Sequence, residues 1–507
     1  MNVNPITRLD YPDPDVIRVE DTYYMVSTTM HFMPGCEILQ SFDLVHWEHV
    51  TYVYETLDHT DAQQLKSGHN IYGQGMWAAS LRYHEGRFYI CFVANDTRKT
   101  YLYTSEKIDG PWKKQLIEGF YHDGSLLFDE DGRNYIVYGN DEIWITELNE
   151  DLTAPKKDGL HRLLVSDHKN PELGYEGSHI QKINGYYYIF LIHSLRDRWM
   201  RTEACFYSDS LEGEFTGGDV LCDDRGYCGQ GVAQGGIVDT PDGKWYAMLF
   251  QDSGAVGRIP ILLPVTWKDH FPVFGQNGHV PEEIEVHSTR PGYIYQPLVG
   301  SDDFCNGLLP RWQFNHDPDP RYYHLDALQG TYTITTREVC TELTQAVNTL
   351  TQRMSYPSCA AEVTVDASAL KEGDVAGLCA LQGCYAAVGI TKHHGKYEVL
   401  MLDKKEDGIL DMTEGTVVES HQMDFRLEAD FCNMKDEARC YYRVNKGDWL
   451  PIGTVHKLYF KLDHFTGCRF GLFCYAAEET GGSACFRDFK SVSYTHLRAH
   501  ETSAHLV

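Results

Sequence analysis

The stretch Asn184-Gly-Tyr-Tyr-Tyr-Ile189 joins a turn-forming pair to an aromatic apolar run, and four other stretches in the first half of the chain follow the same plan. They are Asp21-Thr-Tyr-Tyr-Met-Val26, Glu85-Gly-Arg-Phe-Tyr-Ile90, Asp131-Gly-Arg-Asn-Tyr-Ile136 and Asp242-Gly-Lys-Trp-Tyr-Ala247. Counting back from Tyr24, Tyr89, Tyr135, Tyr188 and Tyr246 by 11, 12, 12, 12 and 12 positions reaches Asp13, Trp77, Asp123, Glu176 and Gln234. A strand, a tight turn and a second strand repeated five times predicts a five-bladed β-propeller, with the registered residue of each first strand facing a shared axis. Three of the five registered residues are acids, so the repeat predicts a pocket that gathers carboxylates from distant parts of the chain.

Working outward, a serine, an apolar residue and a closing aromatic recur after the tyrosine runs in Ser41-Phe-Asp-Leu-Val-His-Trp47, Ser105-Glu-Lys-Ile-Asp-Gly-Pro-Trp112 and Ser208-Asp-Ser-Leu-Glu-Gly-Glu-Phe215. These read as outer blade strands running into turns. Short β-branched and aromatic runs broken by Asp-Gly and Asn-Gly continue throughout, with little helical periodicity, so the whole chain is predicted to be all-β. The pattern loosens near Pro281, Pro291 and Pro297, which predicts a propeller over 1–295 and a linker. From Ser301, Trp312-Gln-Phe-Asn-His316, Tyr332-Thr-Ile-Thr335, Ala360-Ala-Glu-Val-Thr-Val365 and Phe470-Gly-Leu-Phe473 alternate at period two, predicting a β-sandwich over 301–491. The segment 492–507 reads as a translated library adaptor and is predicted to be non-native, so His496 and His500 carry no functional expectation.

The chain has 507 residues, enough for two cores, and a formal net charge of −29. That charge repels phosphate backbones and anionic membrane surfaces, so neither nucleic acid nor a membrane is an expected partner. An uncharged oligosaccharide suits the field, and a 13% aromatic content supplies flat surfaces for sugar faces. Fifteen cysteines without a C-x-x-C pair predict reduced thiols. With no apolar leader in Met1-Asn-Val-Asn-Pro-Ile-Thr-Arg8, the expectation is a cytoplasmic protein. A homo-oligomer is compatible with these features.

Hydrolysis of a glycosidic bond needs one carboxylic acid to protonate the departing oxygen and one carboxylate to activate water or attack carbon. Asp13 lies in Tyr11-Pro-Asp-Pro-Asp15, where two prolines stiffen the backbone. Asp123 leads into Gly124-Ser-Leu-Leu-Phe128, and Glu176 sits between Tyr175 and Gly177, neighbours that limit its hydration. Each alone also reads as an ordinary turn or loop acid. Their common offset from a tyrosine run is what selects them.

Tyr11-Pro-Asp-Pro-Asp-Val-Ile-Arg-Val19, Phe32-Met-Pro-Gly35, Met76-Trp-Ala-Ala79, Asp123-Gly-Ser-Leu-Leu-Phe-Asp129, Glu176-Gly-Ser-His179, Thr240-Pro-Asp-Gly-Lys-Trp-Tyr246 and Gly257-Arg258 resemble glycoside hydrolase family 43. Asn348-Thr-Leu-Thr-Gln-Arg353 and Gly373-Asp-Val-Ala-Gly-Leu378 resemble the lectin-like, concanavalin A-like β-sandwich of its β-xylosidase branch. The resemblance implies Asp13 as general base, Glu176 as general acid and Asp123 as the residue that keeps Glu176 protonated. It implies inversion, with acid and base about 6.5 to 9.5 Å apart. It implies a sugar contact for Arg258, pocket walls for Phe32 and Trp77, and a sandwich loop carrying Phe465 across the pocket, which restricts the enzyme to chain ends.

One position departs from the family. Gln234, in Val232-Ala-Gln-Gly-Gly236, stands where many members have a histidine tied to a central metal or water. An amide is a poor transition-metal ligand, so no metal or other cofactor is expected to be required, although calcium fits oxygen ligands at the axis. Glu176-x-x-His179 also has metal-ligand spacing, but the family motif makes His179 a structural or sugar-contacting residue. The implied activity is release of xylose from non-reducing ends of β-1,4-xylo-oligosaccharides. The rivals are an α-L-arabinofuranosidase and a noncatalytic carbohydrate-binding propeller. A fructan or sucrose hydrolase would carry Trp-Met-Asn-Asp-Pro-Asn and Arg-Asp-Pro, and neither occurs.

Overall fold

The structure, a computed structural model, describes residues 2–494. Among these there is no α-helix, and hence no helix long and apolar enough to cross a membrane. Five four-stranded antiparallel sheets follow one another along the chain. Blade 1 runs from Asp15–Val19 to Glu48–Tyr54, blade 2 from Ser80–His84 to Lys113–Ile117, and blade 3 from Ser125–Phe128 to His161–Ser166. Blade 4 runs from Glu176–Ile183 to Thr216–Leu221 and blade 5 from Ile237–Asp239 to Phe271–Phe274.

The tyrosine runs are the second strands of the blades, and their composition follows from burial on both faces. In Tyr186–Ser194, Tyr187, Ile189 and Leu191 pack toward blade 3, while the alternate Tyr188 and Phe190 pack toward blade 5. A strand wedged between two sheets has no solvent face, so it reads as a continuous apolar run. Five such clusters, one in each gap between neighbouring blades, close the ring. Each well-buried Leu, Ile or Phe in them contributes about 1.5–3 kcal/mol. Asn2–Val3 pairs with Glu283–Ile284 after blade 5, and buried Asn4 exchanges bonds with Leu262, joining the two ends of the propeller.

The second unit is a sandwich of a nine-stranded and a seven-stranded sheet around Trp312, Phe314, Leu350, Phe425, Phe470 and Phe486. One strand of the larger sheet comes from the propeller: Phe32–Met33 pairs with Gln313–Asn315. The joint is ionic and hydrogen-bonded as well. Arg353 meets Glu37 at 2.8 Å, and the Gly467 and Cys468 amides donate to the Asp10 carboxylate and the Ala255 carbonyl at 2.7 and 2.8 Å. These contacts hold the loop Asp463–Gly467 against the propeller mouth. Val492–Tyr494 continue the last strand, while 495–507, with His496 and His500, lie outside the described residues. All 15 cysteines are unpaired thiols.

Candidate active site

All five registered residues line one cavity of about 200 Å³, together with His122, Leu173, Arg201, Arg258, Leu462 and Phe465. Each registered residue sits just before its blade's first strand or, for Glu176, at that strand's first position. Asp13, Asp123 and Gln234 have φ of 52°, 48° and 61°, and this left-handed kink lets each strand end turn its side chain toward the axis. Glu176 is aimed by another device, a bulge between Glu176 and His179. Gly177 there has φ +66° and lies so close to Gln234 that an added Cβ would fall 2.7 Å from its side chain, so only glycine fits. Its amide donates to Asp123 Oδ2 at 3.0 Å, linking blades 3 and 4 under the pocket.

Asp13 is 3% exposed and tightly held. Thr28 Oγ1 donates to its Oδ2 at 2.5 Å, and Arg258 Nη1 donates to its Oδ1 at 2.6 Å. Arg258 also donates through Nε to Asp252 at 3.2 Å, and its guanidinium lies 3.6 Å from the centroid of Phe465. Arg258, for which a sugar contact is expected, thus has a direct hold on Asp13. Phe465 meets Trp77 edge-on at 5.2 Å, and Leu462 from the same sandwich loop joins them. The lid residue and the aromatic wall expected from the sequence are therefore in contact at the cavity.

Phe32 is not at the cavity, which corrects the sequence expectation. It is 2% exposed in the strand shared with the sandwich, and the Arg469 guanidinium covers its ring at 3.5 Å from the centroid. His179 lies off the cavity too, buried with Nδ1 3.2 Å from Asp15, which in turn binds Arg82 at 2.7 Å. It braces the axis.

The acid side contains a cation that the register did not reveal. His122 Nε2 lies 3.5 Å from Glu176 Oε2 and 3.7 Å from Asp123 Oδ2, and Asn140 donates to the same Glu176 oxygen at 2.7 Å. Burial opposes charge on His122, yet the carboxylates of Asp123, Glu176 and Asp13 raise it to about 9. Burial pushes Asp123 up to about 6, helped by repulsion from Glu176 and Asp13 and opposed by His122. Burial would raise Glu176 too, but the contact with His122 and the charges of His122, Arg201 and Arg258 hold it below the ordinary glutamate value. His122 thus holds Glu176 toward its ionised form, the direction opposite to the protonation expected from Asp123. Among the described residues these are also the one group of three or more His, Cys, Asp or Glu side chains whose ligand atoms all lie within 4.8 Å of one another.

Arg201, the first residue of the third strand of blade 4, completes the wall with its Nε 3.0 Å from Asp252 Oδ2. Neither His122 nor Arg201 stands at the tyrosine offset. His122 had the signal of adjoining Asp123; Arg201 had none.

Comparisons with known proteins match both units of the fold. Residues 3–272 match the glycosyl hydrolases family 43 model, and residues 301–491 match the β-xylosidase C-terminal concanavalin A-like domain. A β-xylosidase of Formosa agariphila is 27% identical over 95% of this chain and 88% of its own length. A non-reducing end α-L-arabinofuranosidase of Bacteroides ovatus is 25% identical over 64% of this chain and 63% of its own. The structure of a bifunctional GH43-CE protein of Bacteroides eggerthii superposes with a TM-score of 0.91 at 42% identity over 98% of this chain, which spans 64% of that protein's length. The chain therefore belongs to glycosyl hydrolases family 43, and is a glycoside hydrolase of the xylosidase/arabinosidase type acting on oligosaccharides.

Proposed function

We propose that the protein is an inverting, exo-acting glycosidase that releases xylose from the non-reducing ends of β-1,4-xylo-oligosaccharides. The observation that carries this reading is the meeting of Asp13, Asp123 and Glu176 around one cavity walled on one side by the sandwich loop. At about 200 Å³ the cavity is smaller than the about 300–1,000 Å³ of a drug-sized site, which favours one terminal sugar over a threaded chain.

Asp13, kept in place by Thr28 and Arg258, draws a proton from water as the water attacks the anomeric carbon. Glu176 protonates the departing oxygen, and His122, 3.5 Å away, supplies the proton that Glu176 gives up. Asp123 faces the His122 imidazole at 3.7 Å and accepts from the Gly177 amide, tying the cluster across two blades. Both proton transfers are carried by these side chains, so turnover is expected to be unchanged by chelators or added calcium.

A second reading, α-L-arabinofuranosidase activity, draws support from the Bacteroides ovatus relative. A product assay on xylobiose and arabino-oligosaccharides, with the native protein and Glu176→Ala, tests both. Xylose from xylobiose, lost in the variant, is the expected result; arabinose alone would favour the second reading, and unchanged turnover in the variant would overturn the assigned chemistry.

A further inference from the structure

Arg201 has more donor capacity than the protein uses. Its side chain is 2% exposed and lines the cavity. Nε lies 3.0 Å from Asp252 Oδ2 but out of line for a hydrogen bond, and both Nε and Nη1 lack an acceptor. The neighbouring Arg258 differs, spending Nη1 on Asp13 and Nε on Asp252. The Arg201 guanidinium is held in place by apolar surfaces, 5.3 Å from the centroids of both Trp199 and Phe250. Buried polar groups are normally paired, and a guanidinium carries a rigid fork of donors suited to hydroxyls on adjacent carbons.

We propose that Arg201 is a specificity-determining contact of the terminal sugar, its guanidinium, which lines the cavity, donating to ring hydroxyls on the side facing blades 4 and 5. This rests on the glycosidase reading of the pocket. A sugar that sets hydroxyl oxygens toward Arg201 completes the buried donors; one that turns them away leaves the donors unpaired and is discriminated against. Arg201 acts by binding and takes no part in proton transfer.

The test compares the native protein with Arg201→Lys and Arg201→Met on nitrophenyl β-D-xylopyranoside and nitrophenyl α-L-arabinofuranoside, with xylose as a competitive inhibitor. Arg201→Met is expected to raise KM and the xylose inhibition constant by about tenfold or more with a smaller change in kcat. It is also expected to shift the ratio of kcat/KM between the two glycosides by about threefold or more, a change that loss of a structural brace would not produce. Arg201→Lys keeps a cation beside Asp252 but loses the fork, so it carries the test if Arg201→Met does not fold. Values within twofold of native for KM, xylose inhibition and the substrate ratio in a folded variant would overturn the Arg201 contact while leaving native turnover, and the glycosidase reading, intact. No turnover by the native protein on any glycoside would instead sink that reading and the contact with it.

Discussion

The two sides of the pocket are built differently. On the side of blades 1 and 5, Asp13 is paired with an arginine, which stays charged across the working pH range, and also accepts from the Thr28 hydroxyl. On the side of blades 3 and 4, Glu176 is paired with a histidine, a cation that can give up its proton. A base has to stay ionised and an acid has to be resupplied, and the choice of Arg258 for one and His122 for the other meets those opposite needs. The fold sets the carboxylates; the partner cation sets what each can do.

The largest expected effect separates the sides by leaving group. Asp13→Asn is expected to lower kcat/KM by about 10²- to 10⁴-fold on both xylobiose and a nitrophenyl xyloside, because both need activated water. Glu176→Ala is expected to do the same on xylobiose but far less on the nitrophenyl glycoside, whose leaving group departs without a proton. Equal losses on both substrates for both variants would erase the distinction.

Arg258→Met tests the permanent cation. It strands Asp13 and leaves Asp252 to Arg201 alone, both carboxylates nearly fully buried, so a loss of about 3–5 kcal/mol in denaturant unfolding is expected, beyond any loss of activity. A variant as stable as the native protein would show that the arginine is not what compensates their charge.

His122→Gln tests the titratable cation and gives the smallest change at the optimum. With the His122 value raised to about 9, its proton is present below that pH and lost above it, so the native basic limb of kcat/KM is expected near pH 9. Without the imidazole the proton is shared by Asp123 and Glu176, whose values the lost cation no longer lowers but which remain carboxylic acids, and the basic limb is expected to move below about pH 9. An unmoved limb would show that the acid side does not draw on His122.

The repeat made the propeller and its five axial positions legible, because strands buried on both faces leave a dense aromatic record and the turn glycines keep the spacing constant. Gln234 was readable for the same reason. His122 was hidden by lying next to a registered residue, on a position that only the fold turns into the cavity. Arg201 belongs to a third strand, where the offset from the tyrosine run carries no information. Phe32 was misplaced because its fate is decided by pairing with Asn315, nearly three hundred residues away, and no local pattern reports such a bridge. Phe465 could be assigned only through family resemblance, since nothing in Asp463-His-Phe-Thr-Gly467 indicates that the sandwich reaches the propeller mouth.

The most direct test of acid and base acting from opposite sides is proton NMR of xylobiose hydrolysis, following the anomer that appears before mutarotation. Water activated by Asp13 and proton donation by Glu176 require α-xylose first from the β-linked substrate. β-Xylose as the first product would mean a carboxylate attacks the sugar itself, and would contradict the account.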